Sequence, residues 1–280
     1  MKNFVLSVGL SLIFINMSAQ EKADIIVSYD AKEWDYQRDS VINQTMTLLL
    51  NKDFSKYLNE LSLWSDSIGS TPEGVNRLNE LIMAQCVIRN PDGSVTVDYS
   101  KGPIKKVYTY VLTDKEKGKL THYGKWGNEQ RYYNEPLDEM IWEVGDSTAN
   151  ILGYECVLAE TDYHGRHWKA WFTPEIPVSF GPWKLHGLPG LILSADAGEG
   201  FGFQATGIES TDCLMTSIYN PELYSKTERK KALANEEYYQ NNRQAILSVQ
   251  YGGNIQFTSG FDDGPKYDGK KYSLEPDYKE

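Results

Sequence analysis

Short strand-like segments separated by turn sequences fill the chain from Cys86 to about Ile208, and they constrain the fold more than any other feature. The turn sequences include Asn90–Gly93, Asp114–Gly118 and Gly198–Gly200, each with a strand-like segment on either side. Antiparallel strands can be joined by a few residues, whereas parallel strands need long crossover connections. The pattern therefore predicts an antiparallel sheet rather than a series of βαβ units.

The predicted elements give an α+β fold. Strands are predicted at Ile25–Tyr29, Thr45–Leu50, Cys86–Arg89, Ser94–Tyr99, Val107–Leu112, Lys119–Tyr123, Glu129–Tyr133, Met140–Val144, Tyr154–Tyr163, His167–Thr173, Leu191–Ala195 and Phe201–Ile208. Helices are predicted at Phe54–Trp64, Pro72–Gln85 and from Ser225 to about Ser248. We expect a curved, mainly antiparallel sheet with two or three helices on one side, and an open or half barrel is one form that such a sheet can take.

Two of the predicted helices carry start signals. Thr71 is a favourable N-cap residue, and Pro72 is favourable at the first helical position. Ser225 followed by Glu228 three residues later fits a capping box. In the helix that follows Thr71, the apolar residues at positions 75, 78, 81 and 82 recur at helical spacing, which predicts a face packed on the core.

The first 20 residues have the composition of an export signal. Lys2 is followed by an apolar run from Phe4 to Ile15 and by small residues at 17–20, which predicts cleavage after Ala19 or Gln20. The alternative is an uncleaved anchor, although the run is short for a bilayer. No cysteine follows the run, so we expect no lipid anchor. We expect an exported protein of the periplasm or the exterior, with one domain at 21–250 and a poorly ordered acidic tail at 251–280.

The net charge of the chain disfavours nucleic acid as a partner. It is −11, and loss of Lys2 with the signal makes it −12. Binding to phosphate backbones rewards an excess of lysine and arginine. The abundant aromatic residues (19 Tyr and 7 Trp) suit half-buried sheet surfaces and faces that contact ligands or other proteins.

The three cysteines have no spacing typical of a redox or zinc site. Cys156 lies in an apolar strand, where a buried thiol is the simplest interpretation. An odd number leaves at least one thiol unpaired, and a bridge between Cys86 and Cys213 remains an option in an exported protein.

An apolar, glycine- and proline-rich motif is predicted to be structural. It comprises Gly187, Leu188, Pro189, Gly190, Leu191 and Ile192, and it follows Gly181 and Pro182 in a turn-rich stretch. The glycines permit backbone angles that other residues resist, and proline fixes φ. We expect residues 177–189 to form an ordered, tightly turned crossing that delivers Leu191–Leu193 into the sheet.

This motif, together with Ala170–Thr173 and the strand of Tyr154 and Cys156, resembles the GLPGLI family of exported Bacteroidota proteins. The resemblance covers about residues 140–210. It implies export and a shared scaffold, and it brings no reaction with it.

The candidate metal site is the hairpin tip at residues 162–169. If Gly165-Arg166 forms a two-residue turn, His164 lies opposite His167, and Asp162 lies on the same face. Two imidazoles and a carboxylate are ligands that a transition metal accepts. Lys169 on the same face argues against a metal, and the alternative is an exposed turn.

Catalytic and cofactor signatures are not evident. His186 beside the motif is either a structural histidine or a ligand contact, and Gly198–Gly202 is predicted to be a hairpin turn rather than a phosphate loop. We find no nucleophile elbow, zinc-protease helix or P-loop string in the sequence, and we expect no cofactor.

The leading hypothesis is a non-enzymatic binding or interaction protein of the cell envelope that holds an apolar ligand, a peptide or a protein partner. Two alternatives stay open. One is a hydrolase with a nonlocal active site, which a pocket with His164 or His186 within hydrogen-bond reach of a serine or carboxylate would favour. The other is a metal-handling protein that uses His164 and His167.

Overall fold

The computed structural model describes residues 21–98, 101–103, 105–138, 140–198, 200–216, 218–250 and 266–279. Their strands are β1 (Ile25–Asp35), β2 (Ser40–Leu50), β3 (Phe54–Leu58), β4 (Val87–Arg89), β5 (Val95–Val97), β6 (Tyr110–Asp114), β7 (Lys119–Trp126), β8 (Glu129–Pro136), β9 (Glu143–Ile151), β10 (Tyr154–Tyr163), β11 (Arg166–Thr173), β12 (Leu191–Gly198), β13 (Phe201–Ser210) and β14 (Ser225–Lys226). The helices are α1 (Glu60–Ile68), α2 (Pro72–Cys86), α3 (Arg229–Gln250) and the single turn α4 (Gly269–Tyr272). The predicted signal segment lies outside the described residues.

Twelve of these strands form one open sheet in the order β14-β8-β7-β6-β3-β2-β1-β13-β12-β11-β10-β9. Every neighbouring pair is antiparallel except β14 and β8, which run parallel. The short strands β4 and β5 form a separate hairpin. The predicted class, a mainly antiparallel sheet with about three helices, is confirmed.

The first predicted helix is wrong at its beginning. Instead of a helix over Phe54–Trp64, the chain forms strand β3 and becomes helical only from Glu60. The side chain of Asn51 accepts a hydrogen bond from the backbone N–H of Phe54 (2.8 Å), which turns the chain back along β2. Asn59 then caps α1 by accepting from the N–H of Ser62 (3.1 Å).

Helix α2 begins as predicted, but its apolar face is not core. Thr71 accepts from the N–H of Gly74 (3.1 Å), as its cap position requires. Val75 is 43% exposed and Leu78 is only partly buried. The reason is that α2 packs on α1 and β4 rather than on the large sheet.

The predicted capping box of the last helix is not formed. Ser225 belongs to the short strand β14, which pairs with β8, and α3 begins four residues later at Arg229. The first turn is closed by the N–H of Ala232 donating to the carbonyl of Glu228 (3.0 Å). Pairing with the sheet edge therefore displaces the helix start.

Residues 266–279 correct the expectation of a poorly ordered tail over 251–280. They form α4 and a 3-10 turn at Pro276–Lys279, and they bury Tyr272, Glu275 and Tyr278. Arg166 holds this C-terminal segment by donating to the carbonyl of Ser273 (3.2 Å from Nε). Residues 251–265 and 280 lie outside the described part of the chain.

The loop at residues 177–190, which contains Lys184 and most of the motif and which we call the motif loop, is mostly buried. Leu188 and Leu191 are at most 1% exposed, and the N–H of Ile192 donates to the carbonyl of Phe180 (3.0 Å). A Cβ on Gly190 would lie 2.2 Å from the carbonyl oxygen of Thr173, so only glycine allows this close approach. The apolar residues beneath the motif belong to one packed core cluster.

The three cysteines are free thiols, so the optional Cys86–Cys213 bridge is not formed. Cys86 and Cys156 are buried, and Cys213 is half-buried. In the part of the chain that the structure describes, no helix has both the length and the hydropathy to cross a membrane.

Candidate functional site

The β10–β11 turn is formed by His164 and Gly165, one residue earlier than the sequence predicts. Tyr163 pairs with Arg166, and the two turn residues both have positive φ, 52° and 78°. This is the backbone of a type I′ turn, which matches the twist of the flanking strands. The predicted turn at Gly165-Arg166 is wrong, and the shift changes every cross-strand pair.

As a result, His164 and His167 do not face each other. His167 pairs with Asp162, and its ring nitrogens lie 2.9 Å from the Asp162 carboxylate and 2.8 Å from that of Glu160. Hydrogen bonds to these two carboxylates raise the pKa of His167. Both of its nitrogens are engaged there, so the predicted metal set of His164, His167 and Asp162 is not assembled.

His164 lies instead against carboxylates from distant parts of the chain. Its Nε2 is 3.2 Å from Glu135 of β8, and its Nδ1 is 3.4 Å from Asp277 of the C-terminal segment. The ring also packs on Tyr163, with centroids 4.0 Å apart. Nε2 is buried and has no aligned hydrogen-bond partner, so its 3.2 Å approach to Glu135 is a close polar contact without hydrogen-bond geometry.

The motif loop also places a fully buried lysine, Lys184, against two carboxylates near His164, those of Glu135 and Glu275. The Nζ of Lys184 lies 2.5 Å from Glu135, 2.9 Å from Glu275 and 3.0 Å from the hydroxyl of Tyr133. The preceding Trp183 has a positive φ of 57°, an uncommon conformation for a bulky residue. The loop therefore accepts local strain where it places this ammonium.

Arg229 at the start of α3 is the second cation of this group of charged residues. We call the group the charged cluster; it consists of Glu135, His164, Lys184, Arg229, Glu275 and Asp277. Its guanidinium binds Asp277 through two nitrogens (2.7 and 2.9 Å) and Glu275 through one (3.0 Å). Burial alone would raise the pKa of Glu275, but the nearby Lys184 ammonium outweighs it and holds that pKa well below the usual range. The charged cluster thus contains compensated charges, as burial requires.

A neutral histidine on β7 lies beside the charged cluster. His122 Nδ1 lies 2.8 Å from the hydroxyl of Tyr133. Burial, followed by the charge of Lys184, lowers the pKa of His122 to about 3. His122 is therefore uncharged near neutral pH and serves as a hydrogen-bond partner of Tyr133.

Among the described residues, one group offers three metal ligands, namely Glu135, His164 and Glu275, with ligand atoms within 4.8 Å of one another. Lys184 contacts both of these carboxylates. The three carboxylates, including Asp277, carry −3 against +2 from Lys184 and Arg229, which leaves −1 while His164 is neutral. A divalent ion would have to displace the ammonium, so the residues present do not fit a metal.

In front of His164 lies a cleft of about 550 Å³. Its lining residues are Glu135, Pro136, Asp138, Met140, Ile141, Glu143, Glu160, Thr161, Asp162, Tyr163, His164, His167 and His186. Five of these carry carboxylates, three are histidines, and the lining includes no lysine or arginine. The cleft, which we call the acidic cleft, thus combines negative charge with an exposed aliphatic residue, since Ile141 is 83% exposed.

The floor of the acidic cleft is fixed by side-chain contacts to the connection between β8 and β9. Thr161 donates to the carbonyl of Ile141 (2.7 Å), and Trp142 donates to the carbonyl of His186 (2.9 Å). His186 itself is buried, with its ring nitrogens 2.8 Å from the carbonyl of Lys184 and 3.0 Å from that of Asp138. Of the two sequence interpretations of His186, the structural one fits these contacts.

Sequence reasoning selected His164 and the motif loop but missed their partners. Glu275 and Asp277 lie in a stretch rich in glycine and charge, and nothing local marks them. Glu135 and Arg229 likewise look like ordinary surface residues. Lys184 gives the one usable signal, because a single lysine lies between Trp183 and Leu185 in a buried, turn-rich stretch.

The comparisons with known proteins concern part of the chain or its fold alone. Residues 163–194, which run from the hairpin turn through the motif loop into β12, match a family described as "Protein of unknown function (Porph_ging)". No curated protein matches the chain. The fold and the acidic cleft together define an α+β protein with an open antiparallel sheet and a charged concave site.

The fold is similar to that of PNGF-II. Its structure in a C2 crystal form gives a TM-score of 0.50 at 14% identity, covering 79% of this chain and 34% of that one. The P21 form gives 0.50 at 15% identity, with 78% and 34% covered. The chain therefore corresponds to about a third of PNGF-II, and at this identity the similarity shows the fold alone.

Proposed function

We propose that this protein is an exported, non-enzymatic binding protein of the cell envelope, a member of the GLPGLI family, that holds a cationic group of a partner in the acidic cleft. The observation that carries the proposal is a cleft of about 550 Å³ with five carboxylates in its lining. Concave sites with a few convergent polar groups are the usual places of ligand binding. Negative charge in a cleft attracts a positively charged ligand and excludes a negative one.

Burial of the reactive groups supports binding over catalysis. Lys184 and Glu275 have side chains that are 0% and 3% exposed, and each already has a partner of opposite charge. A ligand in the acidic cleft meets His164 and Glu135, which are 11% and 15% exposed, and the outer carboxylates. Lys184 and Glu275 therefore support the side of the cleft and are not placed to react with a ligand.

A cationic ligand is favoured over the apolar ligand that the sequence also suggests. The apolar residues in and around the motif, such as Phe180, Leu188 and Ile192, are at most 1% exposed and belong to the packed core. The acidic cleft exposes carboxylates beside Ile141 instead. A lysine or arginine side chain has an aliphatic stem and a charged head that suit this combination.

Argininamide provides a direct test by NMR titration of residues 21–280. We expect salt-sensitive shift changes confined to cleft residues. The double variant Glu143→Gln/Glu160→Gln should weaken binding at least about fivefold, and Glu155→Gln, on the same strand as Glu160 but outside the cleft, should not. Equal affinity for the cleft variant and the control would refute the proposal.

The export part of the proposal has its own test. Mass analysis of the protein after expression in a Gram-negative host should give a chain that begins at Gln20 or Glu21, in the periplasm or the medium. A cytoplasmic protein that retains Lys2 would contradict it.

A hydrolase is the second candidate, and one observation favours it. His164 lies at the cleft wall within 3.2 Å of Glu135 and 3.4 Å of Asp277, which meets the criterion set by the sequence analysis. Such a histidine could act as a general base on a bound water. Hydrolysis of ester, amide or glycoside reporters that disappears in His164→Asn, a variant that retains a polar turn residue, would support this candidate.

A further inference from the structure

Strand β9 is a long free edge that begins at the acidic cleft. We infer that this edge pairs with an extended, basic segment of a partner protein, which adds a strand to the sheet and places a lysine or arginine side chain in the acidic cleft. The inference rests on the proposed function and specifies its partner. Three observations support the inference: β9 is exposed, its edge is continuous with the acidic cleft, and both the edge and the cleft are negatively charged.

Among the described strands, β9 pairs only with β10, so its outer edge has no strand partner. The edge is nine residues long, and its first six residues, Glu143–Thr148, are all exposed. The opposite edge of the sheet, β14, has two residues. Long free edges are templates for strand addition, because their unpaired N–H and C=O groups can bind another backbone.

The edge and the acidic cleft form a continuous surface. Glu143 is both the first residue of β9 and part of the cleft lining, and Ile141 lies just before it. Val144 is 56% exposed and Leu152, just past the end of the strand, is 45% exposed. A strand along β9 would therefore contact aliphatic side chains and end over the carboxylates.

The pairing of β9 with β10 indicates where the partner would lie. Residues 148–151 pair regularly, and the register then shifts so that Val144 lies opposite Ala159. Regular pairing is resumed at Val144 and Glu143. The β10 partners of Thr148 and Glu143 are Val157 and Glu160, three residues apart, so Glu143 lies roughly 10 Å from Thr148 along the sheet. An extended partner strand paired at 148–151 would reach the cleft about three residues further along, as β10 does on the other side.

Charge decides between a basic partner and a second copy of this chain. β9 contains Glu143 and Asp146 and no basic residue, so two copies of it offer each other no opposite charge. Each copy without the signal also carries a net charge of −12, since the full chain has −11 and Lys2 is lost. Like-charged surfaces repel one another, whereas a segment with lysine or arginine gains attraction from both the edge and the cleft.

The experiment compares three kinds of probe in NMR titration and hydrogen exchange of residues 21–280. They are a ten-residue peptide of alternating threonine and valine that ends in two arginines, two versions of it N-methylated on alternate amides of one edge or the other, and argininamide. We expect the parent peptide to bind at least about tenfold more tightly than argininamide and to slow exchange in residues 143–151. One N-methylated version should lose that gain, and the other should keep it.

The outcomes separate the two proposals. If argininamide binds in the cleft but the peptide binds no more tightly, or if neither N-methylation matters, the strand-pairing inference is wrong and the proposed function stands. If no probe binds, both fail. A concentration-dependent dimer with slowed exchange at residues 143–151 would replace the basic partner by a second copy.

Discussion

The Nζ of Lys184 lies 2.9 Å from a carboxylate oxygen of Glu275, and the two side chains are 0% and 3% exposed. The pair joins the motif loop to the C-terminal segment. Removing one member of a buried ion pair leaves the other charge without compensation, which costs far more than the pair itself contributes.

Lys184→Met should therefore destabilise the protein by about 3–5 kcal/mol, because Glu135 and Glu275 remain buried with Arg229 as their remaining strong cation. The double variant Lys184→Met/Glu275→Leu should recover part of the loss. Urea unfolding measures both. Lys169→Met, which removes an exposed pair with Glu160, should cost less than about 1 kcal/mol. A similar small cost at Lys184 would contradict the buried-pair interpretation.

Removing residues 266–280 should lower the free energy of unfolding by at least about 3 kcal/mol, since Lys184 and Arg229 lose Glu275 and Asp277 as partners and the packing of Tyr272 and Tyr278 is lost. Thermal unfolding and limited proteolysis measure the effect. The variant Glu275→Gln/Asp277→Asn keeps the packing of Tyr272 and Tyr278, so it isolates the contribution of charge. A truncated protein as stable as the full chain would show that the segment only rests on the surface.

As the pH falls, His122 should destabilise the protein before the carboxylates of Glu135, Glu275 and Asp277 titrate, because the pKa values of those three are lowered. The folded-state pKa is about 3, against an ordinary value of 6.5. Between these values the unfolded chain binds a proton that the folded chain does not, so stability falls as the pH drops below 6.5. The loss from pH 7 to pH 5 is about 2 kcal/mol.

In His122→Gln this loss should vanish, which urea unfolding at the two pH values can measure. His167→Gln is the control, because its raised pKa acts in the opposite sense, and its exposure keeps the effect small. An unchanged pH slope in His122→Gln would assign the acid sensitivity to other groups.

Gly190→Val should destabilise the protein by about 3 kcal/mol or more, because a Cβ would lie 2.2 Å from the carbonyl oxygen of Thr173. Gly207→Val is the matched control, since a Cβ there meets no atom within 4 Å and its φ is ordinary. Unfolding in urea distinguishes the two. A stable Gly190→Val variant that loses binding would instead make the motif a contact surface.

The sequence predicts the local parts of this fold and misses the long-range ones. The hairpins are correct because Asn90–Gly93 and Gly198–Gly200 are strong turn signals. The β10–β11 register is wrong by one residue, since Gly165 suits the first position of one turn type and the second of another. Phe54–Leu58 is a strand because its neighbours β2 and β6 pair with it, which a single segment does not reveal.

In the candidate site too, the sequence predicts a local feature and misses the long-range contacts. His164 stands out in the sequence, but its partners come from β8 and from residues after 266, and no periodic pattern links them. The composition around Glu275 is typical of a solvated tail. Arg166, Lys184 and Arg229 order that segment by contacts across the fold.

The Lys184–Glu275 pair also implies an order of events as the exported chain folds. The two residues are 91 positions apart, so Lys184 leaves the export channel well before its counter-charge. Until residue 275 follows, closing the motif loop would bury an ammonium with Glu135 as its main compensation, which favours a solvated loop. The buried motif loop is therefore expected to be the last part of the chain to close.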